Sequence, residues 1–227
     1  MIVLCFMQRS ELNNVQYEEA SLSKDRRLKL SRLKNEGSRQ LAVCAELALI
    51  KALKEYGACP KLPLQIEERG RGKLFFYAPE SFAGHIFFSL SHAGDMAVAA
   101  VSDHDLGVDI EEVSRKMPSS VGKILHPENY SYYESLTGET EKREYFFDTW
   151  TRMESYMKLI GEGLYMKTVK IEVLPSGTVF SEEADIKGYI HPASELIPYE
   201  RDRYRCNICT ARPEEEISVV CVVCQRQ

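Results

Sequence analysis

The sequence predicts an α+β protein in two parts of similar size, on three observations. Apolar residues at helical spacing fill Ser38 to Tyr56 and then give way to short strand-like runs. The same order, helix then strands, returns from Tyr145 to the end of the chain. The change from one to the other falls near residues 102 to 106, so the expected parts are 1–103 and 104–227.

Element by element, the opening run Met1 to Met7 is apolar but short. No basic region precedes it and no small-residue cleavage site follows, so it reads as a first strand rather than a signal peptide. Residues 24 to 56 read as helix with a break near Asn35-Glu36-Gly37. The second piece carries Leu41, Ala45, Ala48 or Leu49, Ala52 and Leu53 on one face, and Gly57 ends it. Pro60 and Pro63 mark a connection, Leu64 to Glu67 a short strand, Glu68 to Lys73 a loop and Leu74 to Tyr77 a strand. His85 to Ser91 and Met96 to Ser102 flank His92-Ala93-Gly94-Asp95, which reads as a hairpin turn. Leu106 to Glu111 is another strand, and 112 to 143 is polar with short helices. Phe146, Trp150, Met153 and Met157 make a helix of Tyr145 to Ile160, which Gly161 and Gly163 stop. Strands are expected at Lys170 to Leu174, Thr178 to Ser181, Lys187 to Ile190, Tyr204 to Ala211 and Ile217 to Val223. Pro213-Glu214-Glu215-Glu216 reads as a hairpin turn between the last two.

Composition excludes several classes. With 44% apolar and 28% charged residues, the 227-residue chain is not disordered, collagenous or coiled coil. No stretch approaches the ~20 apolar residues of a membrane helix, so the expectation is a cytoplasmic protein without a membrane partner. A formal charge of −5 argues against a generally basic nucleic-acid binder. Residues 23 to 40 nevertheless carry a net +5, which leaves −10 for the rest. Such a segment is either a solvated helix face or a local anion site.

Seven cysteines, an odd number, argue against a disulfide framework. Cys206-x-x-Cys209 and Cys221-x-x-Cys224 have the spacing of a zinc site. They lie in strand-like runs, however, where residues three apart face opposite sides, so they read as buried structural cysteines.

Three elements carry chemistry. Asp109 and Glu111 alternate on a strand and therefore point the same way. They are either two exposed acids or a pair that a hard cation such as Mg²⁺ would join. Trp150, Glu154 and Lys158 sit four apart on one helix face. The last two are either an ion pair or a third carboxylate beside a phosphate-seeking cation. His92 follows a strand and opens a turn, next to Ser91 and a Gly; it is either structural or in contact with a ligand, as loop positions often are.

Taken in order, "GRGK", "FSLSHAGD", "LGVDIE" and "WTRMESYMKLIGEGL" resemble the 4′-phosphopantetheinyl transferases, in particular the monomeric, surfactin-synthetase-activating (Sfp-like) class. Its two main motifs are (V/I)-G-(V/I)-D-x-E and W-(S/T)-x-K-E-(A/S)-x-x-K. The resemblance implies two similar α/β subdomains related by a pseudo-two-fold, each a helix on a small mainly antiparallel sheet, with the active site at their interface. It implies Mg²⁺, or Mn²⁺ in its place, on Asp109, Glu111 and Glu154. It places Lys158, Lys73, Arg39, Ser91 and His92 on coenzyme A, and Lys24 and Arg27 on its 3′-phosphate. The implied reaction moves 4′-phosphopantetheine from coenzyme A to a serine of an apo carrier protein (acyl, peptidyl or polyketide) and releases adenosine 3′,5′-bisphosphate. Glu154, or a metal-bound water beside it, would take the serine proton, and Lys158 would neutralise the leaving group. Two departures stand out: Met153 where the family has Lys, removing a positive charge near the site, and Leu74 where it has Pro. A monomer is expected, since both halves lie in one chain. Leu28, Leu33 and Met117 to Leu125 are the expected carrier-facing segments. The rival readings are a divalent-metal phosphohydrolase and a non-catalytic zinc module built on the cysteine pairs.

Overall fold

A computed structural model describes residues 1–14, 17, 19–77, 86–163 and 166–221. His85, Val222, Val223 and Cys224, assigned to strands or to the cysteine pairs above, lie outside the described residues. The chain divides into two units: Met1–Arg69 with Lys73–Asp105 and Glu215–Gln227, and Gly70–Gly72 with Leu106–Glu214.

Among the described residues the first unit holds a four-stranded sheet in the order β11-β1-β5-β4. The strands are β1 (Ile2–Gln8), β4 (Phe87–Ala93), β5 (Met96–Ser102) and β11 (Ile217–Cys221). Antiparallel pairing joins β1 to β5 and β5 to β4, whereas β11 runs parallel to β1. The run IVLCFM is buried on both faces, which is why it is continuous rather than alternating. Helix α2 (Glu36–Glu55) lies on this sheet. Its Ala45, Ala48, Leu49, Ala52 and Leu53 pack with Val3, Cys5, Met7, Ala97, Ala99 and Val101.

The expected helix break is real. Helix α1 (Lys24–Arg32) stops where Leu33 turns extended, and Asn35 caps α2 by accepting from the Ser38 amide at 3.0 Å. A buried carboxylate ties the two helices. Glu46 on α2 accepts from the Ser23 hydroxyl at 2.8 Å and from Arg26 Nε at 3.2 Å. Arg26 thus turns inward, while Lys24, Arg27, Lys29 and Arg32 stay exposed.

The segment expected as a loop at Glu68 to Lys73 is the bend of a hairpin. Strands β2 (Ile66–Arg69) and β3 (Lys73–Phe76) pair through it, with Gly70 and Gly72 at φ 60° and 105°. Ser91 lies on a strand as expected, but His92 and Ala93 differ from expectation. These two extend β4, and the turn is the tighter Gly94-Asp95, with Gly94 at φ 55°.

The second unit, among the described residues, is a five-stranded antiparallel sheet in the order β6-β10-β9-β8-β7. Its strands are β6 (Leu106–Glu112), β7 (Ile171–Val173), β8 (Thr178–Ser181), β9 (Gly188–Pro192) and β10 (Tyr204–Thr210). Helix α4 (Glu139–Ile160) crosses β6 and β10, and α3 (Pro127–Ser135) packs against α4. Glu139 and Glu141 in its first turn favour an earlier start for α4 than its apolar stripe suggests. Phe146, Phe147, Met153, Tyr156 and Met157 form the core with Ile171, Val179 and Ile190.

The α+β class holds, with a helix on a small, mainly antiparallel sheet in each unit. The closing hairpin does not. Strand β10 already has β6 on one edge and β9 on the other, so Ile217–Cys221 finds no edge there and pairs with β1 instead. No helix among the described residues is long and apolar enough to cross a membrane.

Candidate active site

Strand β6 turns Gly107, Asp109 and Glu111 toward α4, and each meets a different level of the helix. A Cβ on Gly107 would lie 1.9 Å from the Ser155 carbonyl oxygen and 2.9 Å from Lys158 Cβ. The strand and the helix backbone therefore touch at that point. Two residues on, Lys158 Nζ donates to Asp109 Oδ1 at 2.6 Å and to the Val108 carbonyl at 2.9 Å. Two further on, Trp150 Nε1 donates to Glu111 Oε1 at 3.3 Å. Glu154 is midway between Trp150 and Lys158 on the helix face.

Three carboxylates thus share one small region, and two of them, Glu111 and Glu154, feel the charge of Asp109. Burial pushes Glu154 up to about 7, with help from the negative charges of Asp109 and Glu111 and against the pull of Lys158. Burial and Asp109 also raise Glu111, while Arg115, 2.7 Å from Glu111 Oε1, opposes them. Asp109 is 4% exposed. Carboxylates gathered in this way are suited to a hard divalent cation, which relieves their repulsion and prefers oxygen ligands. Lys158 and Arg115 hold two of these acids as ion pairs. Among the described residues no three Asp, Glu, His or Cys side chains stand close enough to form a ready cage.

The segment bearing this arrangement, residues 105–209, matches the family model of the 4′-phosphopantetheinyl transferase superfamily. Similar curated proteins carry the same description. 4′-Phosphopantetheinyl transferase gsp of Aneurinibacillus migulanus is 28% identical over 131 residues, 55% of this chain and 52% of that protein. Psf-1 of Bacillus pumilus is 27% identical, across 79% of this chain and 75% of its own. A third, from Bacillus subtilis, is 24% identical, across 86% and 84%. The chain spans about half the length of the first of these and more of the other two.

The superfamily segment holds Asp109, Glu111, Glu154 and Lys158, and the structure brings these four together. The other expected site residues belong to the first unit. Lys24 and Arg27 are exposed on α1. Arg39 on α2 donates to the Leu30 carbonyl and lies 3.6 Å from Glu36, so it also ties α1 to α2. Lys73 on β3 pairs with Asp105 at 2.5 Å. Ser91 is half-buried and His92 exposed, both on β4.

Met153 requires a correction. Its side chain is fully buried in the core of the second unit, not among the charged groups, so its difference from the family is one of core packing. Met153→Lys is accordingly expected to cost about 3 kcal/mol, because the ammonium would enter an apolar core. Met153→Leu should stay within about 1.5 kcal/mol of the parent. Urea unfolding measures both, and a lysine variant as stable as the parent would contradict the burial.

The cysteines divide as the pleat requires. Cys206 lies opposite Ile110 and Cys209 opposite Gly107, on opposite faces of β10. Both are buried, and burial raises their thiols well above the ordinary range, which disfavours the thiolate a metal needs.

Sequence reasoning missed two supports. Asn207, opposite Asp109 on β10, donates to Thr151 Oγ1 at 2.7 Å and to Asp148 Oδ1 at 3.2 Å, which fixes the rotation of α4. Arg115 returns to Glu111 from the turn that follows β6. A strand register is needed to see the first and a turn geometry to see the second. In the sequence, only the four-residue step from Glu111 to Arg115 hints at either.

Proposed function

We propose that this chain transfers 4′-phosphopantetheine from coenzyme A to a serine hydroxyl of an apo carrier protein and releases adenosine 3′,5′-bisphosphate. The observation that carries this reading is the convergence of Asp109, Glu111 and Glu154 beside Lys158, within the superfamily segment. Asp109, Glu111 and Glu154 would hold Mg²⁺, or Mn²⁺ in its place. Bound there, the ion would supply charge neutralisation to the diphosphate of coenzyme A.

The chain's own residues account for the remaining work. Lys158 stands within 2.6 Å of Asp109 and can shift its charge toward the phosphate that departs with the nucleotide. Glu154, or a water beside it, would take the serine proton. In the step itself the serine oxygen would bond to the β-phosphorus, the diphosphate P–O bond would break to release adenosine 3′,5′-bisphosphate, and the serine proton would pass to Glu154 or to a water beside it. Lys24, Arg27, Arg39, Lys73, Ser91 and His92 would bind the rest of coenzyme A, their cations offsetting its 3′-phosphate and diphosphate. We read the chain as acting as a monomer, since each helix-on-sheet unit is present in it; light scattering tests that.

The experiment is direct. The purified chain is mixed with coenzyme A, Mg²⁺ and an apo carrier protein, and the carrier is weighed by mass spectrometry. One added phosphopantetheine arm, absent when a chelator replaces Mg²⁺, is the expected result. An unmodified carrier across acyl, peptidyl and polyketide types would sink the proposal. Consumption of a simple phosphodiester without any carrier would point instead to a phosphohydrolase.

A further inference from the structure

The turn after β6 is held more firmly than its length requires. The Val113 amide donates to the Arg203 carbonyl at 2.9 Å, and the Arg115 amide to the Glu112 carbonyl at 3.1 Å. Arg143 Nη1 donates to the carbonyls of Val113 at 3.1 Å and Arg115 at 2.8 Å. Glu112 Oε1 accepts from Arg203 Nε and from the Ser114 hydroxyl, both at 2.7 Å. Two arginines therefore fix the backbone of the turn. The third, Arg115, points its side chain, 63% exposed, at Glu111.

That ion pair joins a solvent-facing guanidinium to a mostly buried carboxylate, 63% against 13% exposed, so only the guanidinium can swing away to water. The turn is held without it. Glu111 also keeps its aim without it, because Trp150 Nε1 donates to the same oxygen. A solvent-facing guanidinium on a rigid base, beside three repelling carboxylates, is arranged for exchange. A guanidinium released there presents a planar fork that matches phosphate oxygens.

We propose that Arg115 holds Glu111 until a cation takes that carboxylate, and then passes its guanidinium to the diphosphate oxygens of coenzyme A. The inference rests on the reading under Proposed function and adds a substrate-positioning residue to it. The alternative recipient, an acidic surface of the carrier protein, is less favoured, because the guanidinium starts beside the carboxylates that would carry the metal and its diphosphate.

The test uses the full chain with Arg115→Gln and Arg115→Lys. Mg²⁺ affinity is measured by thermal shift without coenzyme A, and KM is measured separately for coenzyme A and for carrier. Arg115→Gln should bind Mg²⁺ about two- to fivefold more tightly, since a competitor for Glu111 is gone. Its KM for coenzyme A should rise about tenfold, with the carrier KM unchanged and the lysine variant in between. An unchanged Mg²⁺ affinity or an unchanged coenzyme A KM would overturn the inference. So would a rise in carrier KM alone, which would assign Arg115 to the carrier. A parent chain that neither responds to Mg²⁺ nor modifies a carrier would defeat the underlying reading, and this inference with it. A working parent with an indifferent Arg115→Gln would defeat this inference alone.

Discussion

Asp109→Ala is expected to reduce carrier modification by at least about 10³-fold while the chain stays folded. Two losses act on one reaction. The substitution removes a carboxylate from the set of three, and it frees Lys158, whose Nζ lies 2.6 Å from Asp109 Oδ1. Lys158 keeps its bond to the Val108 carbonyl and is 28% exposed, so its charge can turn to water. The folding cost should therefore stay near about 1–2 kcal/mol. Asp109→Asn keeps the volume and removes the charge, which separates packing from electrostatics. Glu154→Gln does the same on the helix side and, on the proposed reading, should be equally inactive, because it would remove one of the three carboxylate charges proposed to hold Mg²⁺. The measurements are carrier mass gain, circular dichroism and the Mg²⁺-dependent thermal shift, which should vanish in all three variants. Full activity in either Asp109→Ala or Glu154→Gln would remove that carboxylate from the mechanism.

The pair Asp109 and Glu111 is legible because a strand alternates faces, and Glu154 with Lys158 because a helix brings every fourth residue to one face. Those local periodicities survive folding unchanged. What the sequence does not disclose depends on neighbours far away in the chain. Whether Ile217–Cys221 pairs with β10 or with β1 is decided by β10 having both edges taken, a property of the sheet rather than of residues 217–221. The motif makes Met153 a site position, yet the helix turns it into the core, one residue from the charged face. Lys73 reads as loop, but the glycines on either side of Arg71 close a hairpin and put it at the start of a strand. Arg115 depends on a turn whose shape is set by Arg143 and Arg203, which follow it by 28 and 88 positions.

Gly107→Ala is expected to be the most damaging single-methyl substitution in the second unit. Its φ lies outside the left-handed region, so conformational freedom is not why glycine stands there. The reason is space. The added Cβ would meet the Ser155 carbonyl oxygen at 1.9 Å, the Leu159 amide nitrogen at 2.7 Å and Lys158 Cβ at 2.9 Å. Two of these are helix backbone atoms, which cannot rotate away as a side chain can. Either α4 lifts from β6 or the strand bends, and each undoes packing along the interface. A cost above about 4 kcal/mol is expected, lowering Tm by roughly 8–16 °C for a chain of this size. The same movement would part Glu154 and Lys158 from Asp109, so Mg²⁺ should stabilise the variant less than the parent. Gly57→Ala is the matched control: Gly57 has φ 89° with nothing within 4 Å of an added methyl, so only backbone strain applies, about 1–2 kcal/mol. If both variants melt alike, steric exclusion at Gly107 is wrong, and with it the close seating of α4 on β6 that brings the helix acid to the strand acids.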